Sequence, residues 1–370
     1  MKLSFIGDVM LGRFVAEKYC EKPYNLVSEE ARKIICDADF VIANLESPVV
    51  NVETDDSLRF SGRPELLKQF KWVDCFSLSN NHINDFGSTG MSETIRHLKD
   101  AGIMQNGLYE DIYKPFIMKQ GNEKVALITC ADMMNHEFSD DCPYKTLRMN
   151  NPMLVFDHIK KNRDNGCFVI LFLHAGMLFS RYLNPLVRNF VHSAIDHGAG
   201  AVITAHSHCL GGYEIYKDAL IINSLGDFLM DGSSFRRRKS CVLNMKVQNG
   251  KIASWAITPT ITTNGLQTVI PSETETASLL RGCRKVANKI VAHKDDYKSF
   301  YKRQYKKEMI QHSMSTLKFE LKRRGLAGFL KIIFIRLGDV GGMFKRIVTD
   351  RSKMSYDADA VKSISNKAIK

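Results

Sequence analysis

The sequence lacks cysteines at the paired spacings of metal-binding motifs, and this absence is informative. Nine cysteines are scattered through the 370 residues, and no two of them stand at a CxxC or other zinc-finger spacing. Several lie inside apolar runs, as Cys75 and Cys130 do, where a cysteine behaves as a small hydrophobic residue. The pattern therefore excludes a structural zinc finger and predicts buried free thiols, which fits a reducing compartment.

Long apolar runs are also absent. A membrane-spanning helix needs about 18 apolar residues without charge, and the nearest approach, residues 325–344, is interrupted by Lys331, Arg336 and Asp339. Only five residues separate Lys2 from Asp8, too few for the apolar core of a signal peptide. We therefore expect no spanning helix, a first β-strand at the N-terminus, and a cytoplasmic protein that could lie against the inner membrane.

The motifs of several enzyme classes are missing as well. The glycine-rich segments GDVMLG and GSTG contain neither GxGxxG nor the lysine of a phosphate-binding loop, and no GxSxG occurs. These absences exclude kinases, P-loop ATPases, dinucleotide-dependent enzymes and serine hydrolases of the GxSxG type.

The net positive charge comes from the last quarter of the chain. The net charge is +12, but residues 281–370 carry 23 Lys and Arg against 8 Asp and Glu, a balance of +15, which leaves −3 for residues 1–280. The basic region is therefore directed toward an anionic partner such as lipid or polymer. Its apolar basic stretch, residues 317–348, predicts either an interfacial helix on an anionic membrane or a helix packed on the core. No recognised motif predicts nucleic-acid binding.

What the sequence does contain is a series of short apolar runs that alternate with amphipathic segments. Eight runs rich in Val, Ile and Phe are typical of buried strands, from KLSFIGD to SCVLNMKVQ. Segments such as GMSETIRHLKDAG and PLVRNFVHSAIDHG have helical periodicity and would cover the strands. The pattern predicts a layered α/β domain over residues 1–271, followed by a basic, mostly helical region over residues 272–370.

Polar side chains follow the ends of these apolar runs. They are Asp8, Asn44, Glu46, Asn81, His82, His174, His206 and His208. Because the carboxyl ends of parallel strands meet at one edge of a sheet, we expect these residues to converge. Carboxylate, amide and imidazole donors together suit Mn, Fe, Zn or Co rather than calcium, so the sequence predicts a site for one or two divalent metal ions.

Each of these residues has a simpler explanation when it is taken alone. Asp8 could cap a helix that begins near Met10, and Asn81 could occupy a turn with left-handed backbone. His206 and His208 could be ordinary loop histidines. Their joint placement at strand ends favours the metal-site interpretation.

Seven motifs, in order, resemble those of the calcineurin-like metallophosphoesterases in the variant form of the CapA capsule-biosynthesis family. They lie within residues 3–232 and read GDVMLGR, NLESP, FSGRPE, SNNHINDFG, the HAG at His174, AHSH and NSLGDF. The resemblance implies a layered α/β/β/α sandwich of the calcineurin-like fold and a role in capsule or poly-γ-glutamate synthesis.

The resemblance also implies roles for individual residues. Asp8 and Glu46 would supply carboxylate ligands, Asn81 an amide oxygen, and His174, His206 and His208 imidazole nitrogens to the metal site. His82 would be the general acid, because a phosphoester leaves as a poor alkoxide unless a neighbouring group protonates it. Asp85 would orient the His82 ring, as carboxylates behind a catalytic imidazole do.

Two arginines near the motifs could contact substrate. Arg13 ends the first motif and Arg59 precedes FSG, and a guanidinium there could hold phosphate or carboxylate through two hydrogen bonds. An ordinary salt bridge is an equal alternative for either arginine.

Three positions depart from the phosphoesterase pattern. Met10 replaces the histidine of the DxH motif, a loss that the CapA family shares and that Glu46 could compensate. The usual HxGxE reads HAGML here, so that Leu178 replaces the acidic residue and Ala175 the common tryptophan. These changes imply an altered metal number or an altered substrate fit.

Three functions remain open on the sequence alone. The first is a metal-dependent hydrolase that cleaves a phosphoester or another polar bond in surface-polymer metabolism. The second is a non-catalytic subunit that binds an anionic polymer in a membrane-associated capsule synthesis or export complex, which the loss of the acidic residue after His174 favours. The third is a scaffold for protein contacts, and it is the weakest because converging buried polar groups are costly without a ligand.

Overall fold

A computed structural model of the chain describes residues 1–322, except 53, 55–58, 133, 233 and 320. The chain divides into a unit Met1–Ser313 and a unit Met314–Lys370. Of the second unit, residues 314–319, 321 and 322 are described, and they are helical. Most of the predicted interfacial stretch 317–348 therefore lies outside the described residues. Within the part that is described, no helix combines the length and the apolar character that crossing a bilayer requires.

Strands and helices alternate along most of the chain. The strands are β1 (Lys2–Val9), β2 (Phe40–Leu45), β3 (Cys75–Ser77), β4 (Met104–Asn106), β5 (Phe116–Gln120), β6 (Glu123–Ala131), β7 (Phe168–His174), β8 (Ala199–Ala205), β9 (Tyr213–Tyr216), β10 (Ala219–Ile222), β11 (Asp227–Leu229), β12 (Lys239–Gln248), β13 (Lys251–Thr262) and β14 (Thr268–Val269). The α-helices are α1 (Arg13–Glu21), α2 (Glu29–Cys36), α3 (Gly87–Asp100), α4 (Pro152–Asp164), α5 (Pro185–Asp196) and α6 (Glu273–Ala292), and residues 297–319 are also helical.

These strands form two sheets. One has the order β14-β13-β12-β1-β2-β3-β4, with β11 paired to β1, and the other has the order β5-β6-β7-β8-β10-β9. Strands β1 to β4 run parallel, and so do β6, β7, β8 and β10. Each sheet therefore presents the carboxyl ends of its central strands at one edge, where ligand-binding residues collect in α/β folds.

The two sheets pack face to face, and helices cover their outer faces. Phe5 of β1 and Phe172 of β7 meet between the sheets in an edge-to-face contact with ring centroids 6.1 Å apart. The next residue of β1, Ile6, points the other way and joins a core that includes Val15 of α1 and Met91 of α3. Helices α4 and α5 pack on the outer face of the second sheet. This arrangement confirms the predicted layered α/β/β/α sandwich.

Local sequence signals set several helix starts. The Asn184 side chain accepts a hydrogen bond from the Val187 amide at 2.8 Å, and Pro185 occupies the first turn of α5. Ser28 caps α2 and Ser272 caps α6 in the same way. Such caps satisfy amides that have no partner within the helix and fix where it begins.

Helix α6 packs on the core instead of standing apart from it. It contacts β9 and β13, and its Cys283 is buried with residues of both sheets. Val286 and Ile290 pack with Tyr182, Tyr297 and Phe300. The compact unit thus continues to Ser313, and the predicted division at residue 271 stays a prediction about folding domains.

Candidate metal centre

Two aspartates lie side by side because two glycines let their strands approach closely. Asp8 of β1 is paired in register with Asp227 of β11. A Cβ atom on Gly7 would lie 1.9 Å from the carbonyl oxygen of Gly226, and Gly226 has φ of +77°. Since only glycine fits both positions without strain, this approach fixes the spacing of the two carboxylates.

Asp8 is a strand residue and caps no helix, because α1 begins only at Arg13. The alternative that it is a helix cap is therefore wrong. Its Oδ1 accepts a hydrogen bond from Asn44 Nδ2 at 2.8 Å, and its Oδ2 accepts one from the His206 amide at 3.2 Å. These bonds tie the end of β1 to the ends of β2 and β8.

Glu46 follows β2 and is completely buried. Neither of its carboxylate oxygens has a hydrogen-bond partner among the described residues. Instead, its Oε1 lies 3.5 Å from His174 Nε2 and 3.8 Å from His208 Nε2. A buried carboxylate without a donor is costly, so this arrangement suits a bound cation.

Three histidines complete the cluster from the second sheet. His174 ends β7, and its Nε2 lies 3.1 Å from His206 Nδ1, just after β8. His208 directs its Nδ1 toward Asp227 Oδ1 at 2.7 Å. His206 and His208 have φ of 94° and 55°, a left-handed region that is unfavourable for residues with a side chain and that often marks functional sites.

Two overlapping donor groups emerge from this geometry. The first contains Glu46, His174 and His206, the second contains Asp8, Glu46 and His208, and the donor atoms in each lie within 4.8 Å of one another. All five residues are buried. Nitrogen and carboxylate oxygen donors in this number fit a divalent transition metal.

The electrostatics of the cluster favour a cation. Burial raises the pKa of Asp8 to about 7, with the neighbouring charge of Asp227 adding to the effect. Burial, together with Asp8 and Asp227, holds the pKa of Glu46 well above its usual range. Burial also lowers the pKa of His206 to about 3 and that of His174 well below its usual range. The imidazoles are therefore neutral, with lone pairs free to bind a metal.

Asp227 is the ionised carboxylate of the cluster. Burial alone would raise its pKa, but His208 and Arg237 outweigh burial and hold the pKa below its usual value. Arg237 Nε lies 3.4 Å from Asp227 Oδ2. Asp227 thus fixes the His208 ring so that Nε2 faces Glu46, as carboxylates behind metal-binding histidines commonly do.

Asn81 presents its amide oxygen to the same cluster. Its Oδ1 lies 2.7 Å from His174 Nε2, and its Nδ2 donates to Asn135 Oδ1 at 3.0 Å. Because Asn135 Oδ1 can accept only from the amide nitrogen of Asn81, it orients the Asn81 oxygen toward the donor groups.

His82 and Asp85 lie together beside the cluster. His82 Nδ1 is 2.8 Å from Asp85 Oδ2, which also accepts from the Phe60 amide at 2.8 Å. The Phe60 ring stacks on the imidazole with centroids 3.7 Å apart. Asn135 Nδ2 lies 3.2 Å from His82 Nε2. Carboxylate, ring and amide together hold the imidazole in one orientation.

The two predicted substrate arginines differ in what they contact. Arg13 Nε pairs with Asp231 Oδ2 at 3.1 Å, and its guanidinium lies 5.2 Å from the centroid of Phe60, the ring that covers His82. Arg59 directly precedes Phe60 in the chain. Arg13 is therefore at the rim of the site, and substrate binding by either arginine stays a prediction.

The structure adds residues that were not assigned roles from the sequence. Asn44 and Asn80 cross-link the strand ends, since Asn80 Nδ2 donates to the Leu45 carbonyl at 2.8 Å. Asp227 lies in the NSLGDF motif, and this motif could have identified it as a residue of the site. Nothing in the sequence marks Asn135, because its position depends on a hydrogen bond from its amide to the Asn81 carbonyl, 3.0 Å away.

The solved structures that align with this chain do so at low similarity. A hypothetical protein from Thermus thermophilus aligns with a TM-score of 0.43 and 14% identity, over 70% of this chain and 98% of that chain. The sulfate thiohydrolase SoxB of Thermus thermophilus aligns with a TM-score of 0.39 and 13% identity, over 69% of this chain and 43% of that chain.

Comparison by sequence says more about the family of this chain than comparison with solved structures does. The capsule biosynthesis protein CapA of Bacillus anthracis is 24% identical over 276 residues, which cover 70% of this chain and 67% of the relative. The PGA biosynthesis protein CapA of Bacillus subtilis strain 168 is 23% identical over 269 residues, which cover 70% and 71%. Residues 2–232 match the family described as bacterial capsule synthesis protein PGA_cap. Since this match spans more than half of the sequence, the chain belongs to the PGA_cap (CapA) family, within the metallophosphoesterase-like superfamily.

Proposed function

We propose that this chain is a metal-dependent hydrolase of the phosphoesterase type that acts in capsule or surface-polymer biosynthesis. The observation that carries the proposal is the Glu46 carboxylate, which is fully buried, lacks a hydrogen-bond donor among the described residues, and faces histidine nitrogens at 3.5 and 3.8 Å. Such a carboxylate is stable only when it is protonated or bound to a cation.

The metal ligands follow from the two donor groups. Glu46, His174 and His206 would hold one ion, and Asp8, Glu46 and His208 would hold another, with Glu46 shared. The Asn81 amide oxygen would add to the first group. A bound divalent ion supplies positive charge that polarises a phosphoryl group and makes water a better nucleophile at neutral pH.

The chain's own residues would handle the leaving group. His82 would hold a proton at Nε2 and give it to the departing oxygen, while Asp85 at Nδ1 stabilises the protonated ring. The Phe60 ring stacks on the imidazole and keeps it in place. General acid catalysis of this kind contributes about 10²- to 10⁴-fold in rate.

Substrate binding would use the rim of the site. Asp231 has no hydrogen-bond donor among the described residues for either carboxylate oxygen, yet it faces Arg13. An anionic substrate group would compete with Asp231 for that guanidinium, which can hold phosphate or carboxylate through two bonds. The substrate is accordingly a phosphoester or an anionic polymer, and Arg59 is a second candidate contact. The cytoplasmic location, with peripheral membrane contact, is part of this proposal and rests on sequence alone.

One observation favours a second function, a non-catalytic subunit for polymer binding or export. Position 178, where the phosphoesterase pattern has an acidic residue, is Leu178, and 40% of it is exposed to solvent. Because the residue at that position is not acidic, the cluster could bind metal and polymer without turnover.

Metal content and hydrolysis, measured together, separate the two functions. We would measure bound metal by mass spectrometry in the wild type and in a His206→Ala, His208→Ala double variant, and follow hydrolysis of an aryl phosphodiester in parallel. A His97→Ala, His158→Ala variant, which changes half-buried histidines on α3 and α4, is the matched control. Loss of both metal and hydrolysis in the first variant alone supports the hydrolase. Metal without turnover in the wild type supports the binding subunit, and no metal overturns both.

A further inference from the structure

The helix of residues 297–319 reaches the candidate metal centre through a stacked pair of rings. The His312 imidazole lies flat on the Phe179 ring, with centroids 3.6 Å apart and an angle of 4° between the planes. His312 is only 7% exposed, and both residues belong to the compact unit Met1–Ser313. The contact is therefore a buried part of the fold, and it joins this helix to the segment that follows His174.

Phe179 supports the turn that contains two of the predicted metal ligands. Its amide donates a hydrogen bond to the Ser207 carbonyl at 2.8 Å, and Ser207 lies between His206 and His208. Phe179 itself has φ of 63°, a left-handed conformation that is unfavourable for a residue with a side chain and persists only where neighbouring contacts hold it. The stacked His312 ring is one such contact, so the helix helps to hold this turn in shape.

The Phe179 ring also contacts the arginine behind His208. The Arg237 guanidinium lies 6.0 Å from the ring centroid, and its Nε lies 3.4 Å from Asp227 Oδ2. This ion pair is longer than the roughly 2.7–2.9 Å of a charge-assisted hydrogen bond, so packing as well as charge sets the position of the arginine. Asp227 Oδ1 in turn lies 2.7 Å from His208 Nδ1. The aromatic ring therefore lies behind the groups that orient His208.

One turn before the stacked histidine, the same helix holds both of these segments together. Glu308 accepts a hydrogen bond from the Arg181 amide at 2.7 Å and pairs with Arg236 at 3.7 Å. Arg236 also donates to the Glu308 carbonyl at 3.2 Å. Arg181 follows Phe179 by two residues, and Arg236 directly precedes Arg237. The helix thus fixes the aromatic ring and the arginine relative to each other.

We propose that His312 is a positioning residue of the candidate metal centre, which keeps Phe179 in the place where it supports His208. His312 lies beyond residues 2–232, the part that matches the family, so this role belongs to the C-terminal helix of this chain. It rests on the metal centre of the proposed function but not on hydrolysis. If the stacked pair only contributed to packing, its loss would lower stability and leave the metal affinity of the folded protein unchanged.

Titration of the chelator-treated full chain with Co²⁺ tests the role, because visible absorption reports both the affinity and the histidine coordination of this ion. His312→Leu keeps an apolar side chain but removes the flat ring, and we expect about tenfold weaker binding with an altered spectrum. His312→Phe keeps a ring and should recover most of the affinity. His293→Leu is the matched control, since it removes an imidazole that stacks on Phe300 with centroids 4.4 Å apart. This control should bind within about twofold of the wild type.

A double variant shows whether His312 acts through Phe179. Phe179→Leu should weaken Co²⁺ binding on its own, and adding His312→Leu should weaken it no further, because both changes remove the same contact. Unfolding curves recorded with chelator establish that each variant is folded, and Phe179→Leu serves alone if His312→Leu is not. Unchanged affinity in these variants, equal losses in His293→Leu, or additive losses in the double variant would overturn the role while leaving the centre in place. No Co²⁺ binding by the wild type would overturn the centre, and this role with it.

Discussion

The candidate metal centre and the basic surface of α6, which is formed by Arg281, Arg284, Lys285 and Lys289, are built in opposite ways. The centre takes its donors from the ends of β1, β2, β7 and β8, which are distant in sequence, and buries all of them. The basic surface takes three of its cations from one helix at four-residue intervals, and most of its charge stays exposed. The sheet topology thus creates a buried centre rich in carboxyl and imidazole groups, whereas helical periodicity alone creates a cationic surface.

The difference separates a candidate metal-binding site from an exposed electrostatic surface. Buried carboxylates beside neutral imidazoles favour a bound cation, and this suits the proposed metal-dependent hydrolase. Exposed cations attract polyanions at long range without fixing their register. Changes in one region should therefore leave the other largely intact.

Glu46→Gln should produce the largest effect and should be confined to the centre. The variant keeps the shape of the side chain but removes the charge shared by both donor groups, so we expect hydrolysis to fall more than about 10³-fold, with loss of bound metal. With chelator present, the unfolding free energy should stay within about 1 kcal/mol of the wild-type value, because burial holds the pKa of Glu46 well above its usual range and the metal-free side chain is already uncharged. Chemical denaturation and elemental analysis check this. Marked destabilisation of the metal-free variant would mean that Glu46 serves the fold.

His82→Asn should separate proton transfer from metal binding within the same region. We expect the rate to fall about 10²-fold with unchanged metal content, because the imidazole lies beside the donor groups and belongs to neither. The loss should be larger for an alkyl phosphodiester than for an aryl one, since the alkoxide needs the proton more. Equal losses for both leaving groups would contradict the general-acid role.

Asn135→Ala should have a smaller effect on both metal affinity and rate. The side chain orients the Asn81 amide and contacts His82, and residues that orient ligands in this way are worth about 10- to 100-fold. Asn135→Asp retains an acceptor for Asn81 and should recover part of the metal affinity but not the contact donated to His82. A titration of metal against both variants tests this, and identical affinities would show that Asn135 does not position Asn81.

Glu214→Gln should weaken the packing of the helix that begins at Tyr297 without changing the centre. Glu214 of β9 pairs with Arg188 at 2.6 Å and His192 at 3.0 Å, and the Arg188 guanidinium lies 4.2 Å from the ring of Tyr297. We expect a loss of about 1–3 kcal/mol in unfolding free energy, because the partners of a buried charge are left incompletely paired. Metal content should not change.

The pH dependence of that loss has a definite sign. Burial alone would raise the pKa of Glu214, but His192 and Arg188 outweigh it and hold the pKa below its usual value. The stabilisation is therefore fully present above the ordinary glutamate pKa of about 4.3 and is lost as pH falls through the lower folded pKa. Unfolding curves of wild type and Glu214→Gln should approach each other as pH falls from about 4.3 through the lower folded pKa; a difference that grows in acid would contradict this.

Most of the layered architecture could be predicted from apolar runs. The long buried strands β1, β6, β7 and β8 have no polar face, because helices cover the outer side of each sheet. Short strands such as β4 and β11, with three residues each, were not predicted. Their extended conformation depends on pairing with neighbouring strands, which local sequence does not encode.

The convergence of the predicted donors could be anticipated because strand ends and motifs both indicated it. Two features of the site could not be anticipated from the sequence. The pairing of Asp8 with Asp227 depends on the close approach of Gly7 to Gly226, and the role of Asn135 depends on loop packing against Asn81. Both are long-range contacts between segments that have no pattern in common.

The most direct test of this account is the location of metal by anomalous X-ray scattering from crystals grown with Mn²⁺ or Zn²⁺. The account predicts one or two peaks bounded by Glu46, His174 and His206 and by Asp8, Glu46 and His208, which vanish in Glu46→Gln crystals. A peak elsewhere, or none in crystals of the wild type, would contradict the assignment of this cluster as a metal centre.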